Sequence, residues 1–376
     1  MPTIRTKTVL LAACLSSFLA ACSGYKPTPP SPLQANPATS PVATSWSVKL
    51  ARELQFPLQI ASQGDQVLVA DGGGLVQALS ASTGATSWSF QAGTPLSAGI
   101  GFDGNTAAVV TQDSQLLVFR SSGIVWRTTL LSPTYTAPLV SGGRVFVLGS
   151  DQSITAFDGS NGYKLWQHKA RLPEGSLVLR QASLLSAANG NLLVGVNGRI
   201  VTLNPDNGNP LGETVLAQGR GSNALSQVID LMTPASRQGN SLCARVYQSS
   251  VGCIKLSGGL DWTQANTGST GIAGDAQTVV GTDSTGVVTA WSRADGKVLW
   301  KNNTLQHRNL SAPLLVGNSV VVGDAQGWMH VLSRKDGSLR NRVAIDTSAI
   351  QNAPVLVGNT VVVVSNKGVV AGLQVQ

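Results

Sequence analysis

Short apolar runs recur along the chain, separated by Gly, Asp, Asn and Ser, and no long segment carries the spacing of an amphipathic helix. Val145-Phe146-Val147-Leu148 and Ile154-Thr155-Ala156-Phe157 are one such pair, and they predict short antiparallel strands joined by tight turns. The runs fall into groups that close on one phrase. Ala78-Leu79-Ser80-Ala81-Ser82-Thr83-Gly84 leads to Trp88, and Ala290-Trp291-Ser292-Arg293-Ala294-Asp295-Gly296 leads to Trp300. The turn glycines Gly84, Gly123, Gly162, Gly208, Gly258, Gly296 and Gly337 stand 39, 39, 46, 50, 38 and 41 residues apart. A period of that length belongs to propellers built from four-stranded blades.

Trp88, Trp166, Trp262 and Trp300 each sit four residues past their glycine and Trp126 sits three past, while two weaker copies carry Gly212 and Asn341 instead. The dipeptides Asn161-Gly162, Asn207-Gly208 and Asp295-Gly296 suit hairpin turns that need a positive φ. The tryptophan is expected to pack between neighbouring sheets as core. The last unit, Val361-Val362-Val363-Val364 through Leu373, stops before any Gly-x-x-x-Trp strand. At the other end Ala43-Thr44-Ser45-Trp46-Ser47 is an orphan copy of that strand. The N-terminal strand is therefore expected to complete the C-terminal blade. The reading is an all-β, eight-bladed β-propeller of four-stranded antiparallel blades over residues 46–376, 331 residues or about 41 per blade.

Residues 1–21 read as a lipoprotein signal peptide: Arg5 and Lys7 precede an apolar stretch that ends in Leu19-Ala20-Ala21-Cys22. Small residues before a cysteine resemble a bacterial lipobox, which makes Cys22 the acylated residue. Leu11-Ala12-Ala13-Cys14 carries the same letters after too short an apolar region. Ser23, rather than Asp, after the cysteine implies by the same resemblance sorting to the outer membrane, with the protein facing the periplasm. No later segment approaches the roughly 20 apolar residues of a spanning helix, so the lipid is the expected membrane attachment. Residues 22–45 hold Pro27, Pro29, Pro30, Pro32, Pro37 and Pro41 among small polar residues and read as a stiff tether.

The formal charge of +8 falls to +6 without Arg5 and Lys7, and the remaining basic residues are scattered, which argues against nucleic-acid binding. Cys243 and Cys253 flank a hairpin centred near Gln248. They form a disulfide if they face each other across it, and otherwise are two small buried residues.

Catalytic chemistry has no recognisable carrier in the sequence. His168, His307 and His330 lack metal-like spacing, and neither a nucleophile elbow nor a phosphate-binding loop occurs. Asp158-Gly159-Ser160-Asn161-Gly162 looks like a calcium loop without its terminal Glu and is better read as a hairpin turn. The repeat resembles that of pyrroloquinoline quinone dehydrogenases, with Ala81-Ser82-Thr83-Gly84 and Trp88 as the nearest match. Those enzymes imply a quinone cofactor held by adjacent cysteines and a calcium site. This chain has no Cys-Cys pair, so no cofactor, metal or catalytic residue is expected. A quinoprotein-like dehydrogenase remains the enzymatic alternative.

The two long repeat intervals are consecutive, and their extra residues lie at about 168–181 and 213–240, between an outer strand and the next blade. Connections of that kind emerge on one side of a propeller, so the two insertions should form one patch. The first holds Leu172-Pro173-Glu174-Gly175 and then Leu177, Leu179 and Arg180, an apolar pair beside an arginine that suits either an interface anchor or a short edge strand. The second holds Asp230 before Leu231-Met232-Thr233-Pro234, where the carboxylate could cap a turn or face a partner's base.

With these blocks, the chain resembles the BamB family of β-propeller lipoproteins. The resemblance implies a non-enzymatic scaffold of the outer-membrane β-barrel assembly machinery. It implies docking of Leu177, Leu179, Arg180 and Asp230 on the periplasmic domains of the barrel subunit BamA, other subunits in the same complex, and contact with unfolded barrel clients by strand addition. A periplasmic adaptor of some other complex is the remaining alternative.

Overall fold

The computed structural model describes residues 28–55, 57–169, 179–218 and 229–375, and among these every regular element is a β-strand. They form eight four-stranded antiparallel sheets. Blades 1 to 7 occupy residues 61–91, 101–129, 139–169, 185–215, 231–265, 272–302 and 314–344. Blade 8 combines Val355–Val357, Thr360–Val364 and Val369–Val375 with Val42–Lys49 from the other end of the chain. Its innermost strand touches the innermost strands of both blade 7 and blade 1, so the ring closes.

Burial explains the letters. The second strand of each blade has sheets against both its faces and is apolar on both, as in Ala107–Val110 and Thr360–Val364, where every residue is buried. The outer strand has one wet face and alternates, as in Thr86–Gln91 and Lys164–Lys169.

Trp46 pairs with Gly372 in the closing strand, as the orphan repeat predicts. Its indole N–H donates to the Ala81 carbonyl of blade 1 at 2.8 Å. The same bond recurs from Trp126 to Gly159 at 2.9 Å, Trp166 to Pro205 at 3.0 Å, Trp262 to Arg293 at 2.7 Å and Trp300 to Arg334 at 2.8 Å. Each acceptor stands three residues before the turn glycine of the next blade. That glycine must lack a side chain: a Cβ on Gly84 would lie 2.6 Å from the Trp46 ring, and its φ of +73° already disfavours other residues. Trp88 departs from this pattern. The turn it would meet is shortened at Gly123, and its ring packs edge-on to Phe119 with centroids 6.2 Å apart.

The Pro-rich stretch differs from its reading as a tether. Residues 31–41 lie along blade 7, and the ring strand begins at Val42 rather than 46. The Ser31 amide donates to Gln306 at 2.9 Å, the Thr39 amide to Arg340 at 2.8 Å, and the Arg342 guanidinium to the Gln34 carbonyl at 3.2 Å. Asn341, at the repeat's tryptophan position, donates to the Ser40 carbonyl and accepts from Asn36 at 3.0 Å. Blade 8 has no covalent turn between its last two strands, and this stretch occupies that place. Extended proline-rich backbone leaves carbonyls free of internal bonds, and arginine and asparagine side chains satisfy them.

Candidate docking site

Each connection from an outer strand to the next blade leaves on the same rim, because every blade has the same strand order from inside to outside. The connections of blades 2 to 6 meet there. Leu179, Gln181 and Ser183 belong to the connection between blades 3 and 4, and they bond to three others. The Leu179 amide donates to Asp230 Oδ2 at 2.7 Å, across the connection between blades 4 and 5. The Ser183 amide donates to Thr136 Oγ1 at 3.0 Å in the connection between blades 2 and 3, and its hydroxyl to the Leu231 carbonyl at 2.9 Å. Gln181 Nε2 donates to the Ser269 carbonyl at 3.3 Å in the connection between blades 5 and 6. A bridge between Ser183 and Met232 adds backbone pairing to this lacing.

Asp230 is only 7% exposed. Burial pushes its carboxyl above the usual aspartate range, and the Leu179 N–H works in the opposite direction by stabilising the charged form. Arg180 is exposed, and its guanidinium lies over the Tyr135 ring, 5.1 Å from the centroid. Among the described residues it makes no ion pair. The arrangement therefore offers a laterally fixed strip with one exposed cation that has no ion-pair partner among the described residues.

Of the residues singled out in the sequence, the structure brings Leu179, Arg180 and Asp230 together, and Leu177 and Cys22 lie outside the described residues. Tyr135 was not legible in advance, since nothing near it in the chain announces the arginine 45 positions later. Cys243 and Cys253 are direct register partners on neighbouring strands of blade 5, and their sulfurs are joined. The Asp158 carboxylate binds the Ser160 amide at 2.8 Å within its own turn.

The histidines stand on separate elements. His168 is in the outer strand of blade 3 and His307 is exposed in a connection. His330 is fully buried, with Nε2 2.9 Å from Asp324 Oδ2, which also accepts Arg308 Nε at 2.7 Å. Burial lowers the His330 pKa against the pull of Asp324. Arg308 in turn donates to the Ser31 carbonyl at 2.8 Å, so this buried cluster fixes the start of the segment along blade 7.

The chain is similar to four known families or proteins. A family model described as outer membrane protein assembly factor BamB matches residues 72–302. The outer membrane protein assembly factor BamB of Burkholderia pseudomallei is 33% identical over 90% of this chain and 90% of its own length. The crystal structure of BamB from Moraxella catarrhalis superposes with a TM-score of 0.80 at 25% identity, covering 89% of this chain and 99% of that one. A quinohemoprotein alcohol dehydrogenase from Pseudomonas putida HK5 shares the fold with a TM-score of 0.71 at 13% identity, over 93% of this chain and 78% of its own. At that identity the likeness is one of architecture alone.

Proposed function

The chain belongs to the BamB family of outer membrane protein assembly factors, and from that premise we propose that it is a non-enzymatic, lipid-anchored scaffold that holds BamA through the laced rim of blades 3 to 5. The observation that carries the reading is the contact between the two insertions: Leu179 of one is hydrogen-bonded to Asp230 of the other at 2.7 Å. Two oversized connections thus form one strip, with the exposed Arg180 to meet a carboxylate and the half-buried Leu179 beside it to meet apolar surface. Rigid display suits a propeller, whose blades supply the scaffold while connections supply specificity.

Anchoring follows from the cysteine after Leu19-Ala20-Ala21: acylation of Cys22 attaches the chain to the outer membrane, with the ring in the periplasm. A redox-enzyme reading needs adjacent cysteines against a quinone. In this fold Cys243 and Cys253 are ten residues apart and face each other across a strand pair.

Affinity purification of the acylated protein from membranes, with mass identification of co-eluting subunits, tests the proposal. BamA and its companion subunits are the expected result. Recovery of a different complex without BamA would refute it.

A further inference from the structure

The strip could act on a partner in two ways at Asp230: by pairing with a partner's base, or by setting the backbone of Leu179. The geometry separates them. A carboxylate that is 7% exposed and already bound to a backbone amide at 2.7 Å cannot form a rim ion pair without leaving its site. Arg180 presents the complementary case. It is exposed, its guanidinium carbon lies over the Tyr135 ring 5.1 Å from the centroid, and among the described residues it has no ion-pair partner, so the ring supports the cation without neutralising it.

We propose that Asp230 and Tyr135 are positioning residues, Asp230 by holding the Leu179 amide and Tyr135 by supporting the Arg180 guanidinium, so that both set the docking strip without pairing with the partner's charges. This rests on the docking reading above and departs from what the family resemblance implies for Asp230, which is direct contact. Its physical basis is preorganisation. A connection tied to three neighbours has already lost the freedom that binding would otherwise remove. The tie at Leu179 needs an acceptor, not a negative charge, and the support at Arg180 needs a ring, not a phenol.

Four variants of the full mature chain separate the roles: Asp230→Asn, Asp230→Ala, Tyr135→Phe and Tyr135→Leu, each measured for affinity toward the periplasmic domains of BamA and for hydrogen exchange at the Leu179 amide. Asp230→Asn keeps an acceptor and is expected within about 3-fold of the parent, whereas Asp230→Ala weakens binding about 10-fold or more and exposes the Leu179 amide to exchange. Tyr135→Phe leaves affinity unchanged, and Tyr135→Leu weakens it by about 3- to 10-fold. Equal losses for Asp230→Asn and Asp230→Ala, with the Leu179 amide still protected in Asp230→Asn, would overturn the positioning role in favour of a charge contact. Unchanged affinity for Tyr135→Leu would overturn the platform. If the parent protein fails to bind BamA, the docking reading falls instead. The exchange data then still decide the clamp: equal protection of Leu179 in the parent and in Asp230→Ala would remove it.

Discussion

The side-chain amide of Asn341 donates to the Ser40 carbonyl at the place where five other blades set a tryptophan indole against the turn of the next blade. Blade 8 lacks that turn because its last two strands come from opposite ends of the chain. The segment of residues 31–41 fills the gap, and Asn341 is short enough to reach it. Asn341→Ala removes the bonds to Ser40 and Asn36 and should cost about 1–2 kcal/mol. Limited proteolysis should then cut between Ser31 and Pro41 faster than in the parent, and an unchanged cleavage rate would contradict this role.

Gly84 is constrained twice, by a φ of +73° and by the Trp46 ring, 2.6 Å from where a Cβ would stand. Gly84→Ala should therefore destabilise the ring by about 2–4 kcal/mol, the strained backbone and the displaced indole each contributing. The same change at Gly142, where a Cβ meets nothing within 4 Å, keeps the backbone strain without the clash. Comparison of the two thermal midpoints isolates the contribution of the closing tryptophan, and equal shifts would show that the Trp46 contact adds nothing.

Acid should loosen blade 7 through His330. Its folded pKa is lowered from 6.5, chiefly by burial, with Asp324 opposing and the neighbouring Arg308 and Arg342 charges adding to the shift. The unfolded chain therefore takes up the proton first. The stability that the neutral ring contributes is complete above pH 6.5 and is lost as pH falls below it toward the folded value. His330→Gln, which keeps a donor for Asp324, should show a shallower fall in denaturation midpoint between pH 7 and pH 5 than the parent, as expected when one titrating group is removed. Identical pH profiles would exclude the histidine as the source.

Cys243 and Cys253 should be found oxidised, so the intact mass lies two hydrogens below the dithiol until a reductant is added. The double change to serine is expected to cost about 2–4 kcal/mol, since the link restricts the unfolded hairpin. A mass equal to the dithiol form in protein prepared from an oxidising compartment would contradict the pairing.

Ring, blade number and closure were legible because their determinants are repeated in the letters themselves: a glycine that must turn, a tryptophan at fixed distance, and an orphan strand whose missing partners stand at the other end. The segment of residues 31–41 was not legible as part of the ring. Proline-rich composition cannot bury a core alone, and its bonding partners Arg308, Asn341 and Arg342 lie about 300 residues away, as in the 308-residue separation of Gln34 and Arg342. One trace of it was visible, an asparagine standing in a tryptophan position.

The contact between the two insertions was legible in half. Two consecutive long intervals placed both insertions on one rim, and Leu179 and Asp230 do meet there. What each residue touches was not legible, because the donor to Asp230 is a backbone amide 51 residues away and the ring under Arg180 belongs to a third connection. The sequence left Asp230 able to cap a turn or to face a partner's base, and its burial at 7% exposure against the Leu179 amide is the observation behind the bracing role proposed for it.

The most direct test of the account is a binding measurement between the mature chain and the periplasmic domains of BamA, with the parent compared against Leu179→Ala combined with Arg180→Ala. Because both side chains belong to a half-exposed strip outside the blade cores, the double variant should keep the parent's thermal midpoint and lose at least about 30-fold in affinity. Equal affinity for the two proteins would contradict the assignment of the docking site.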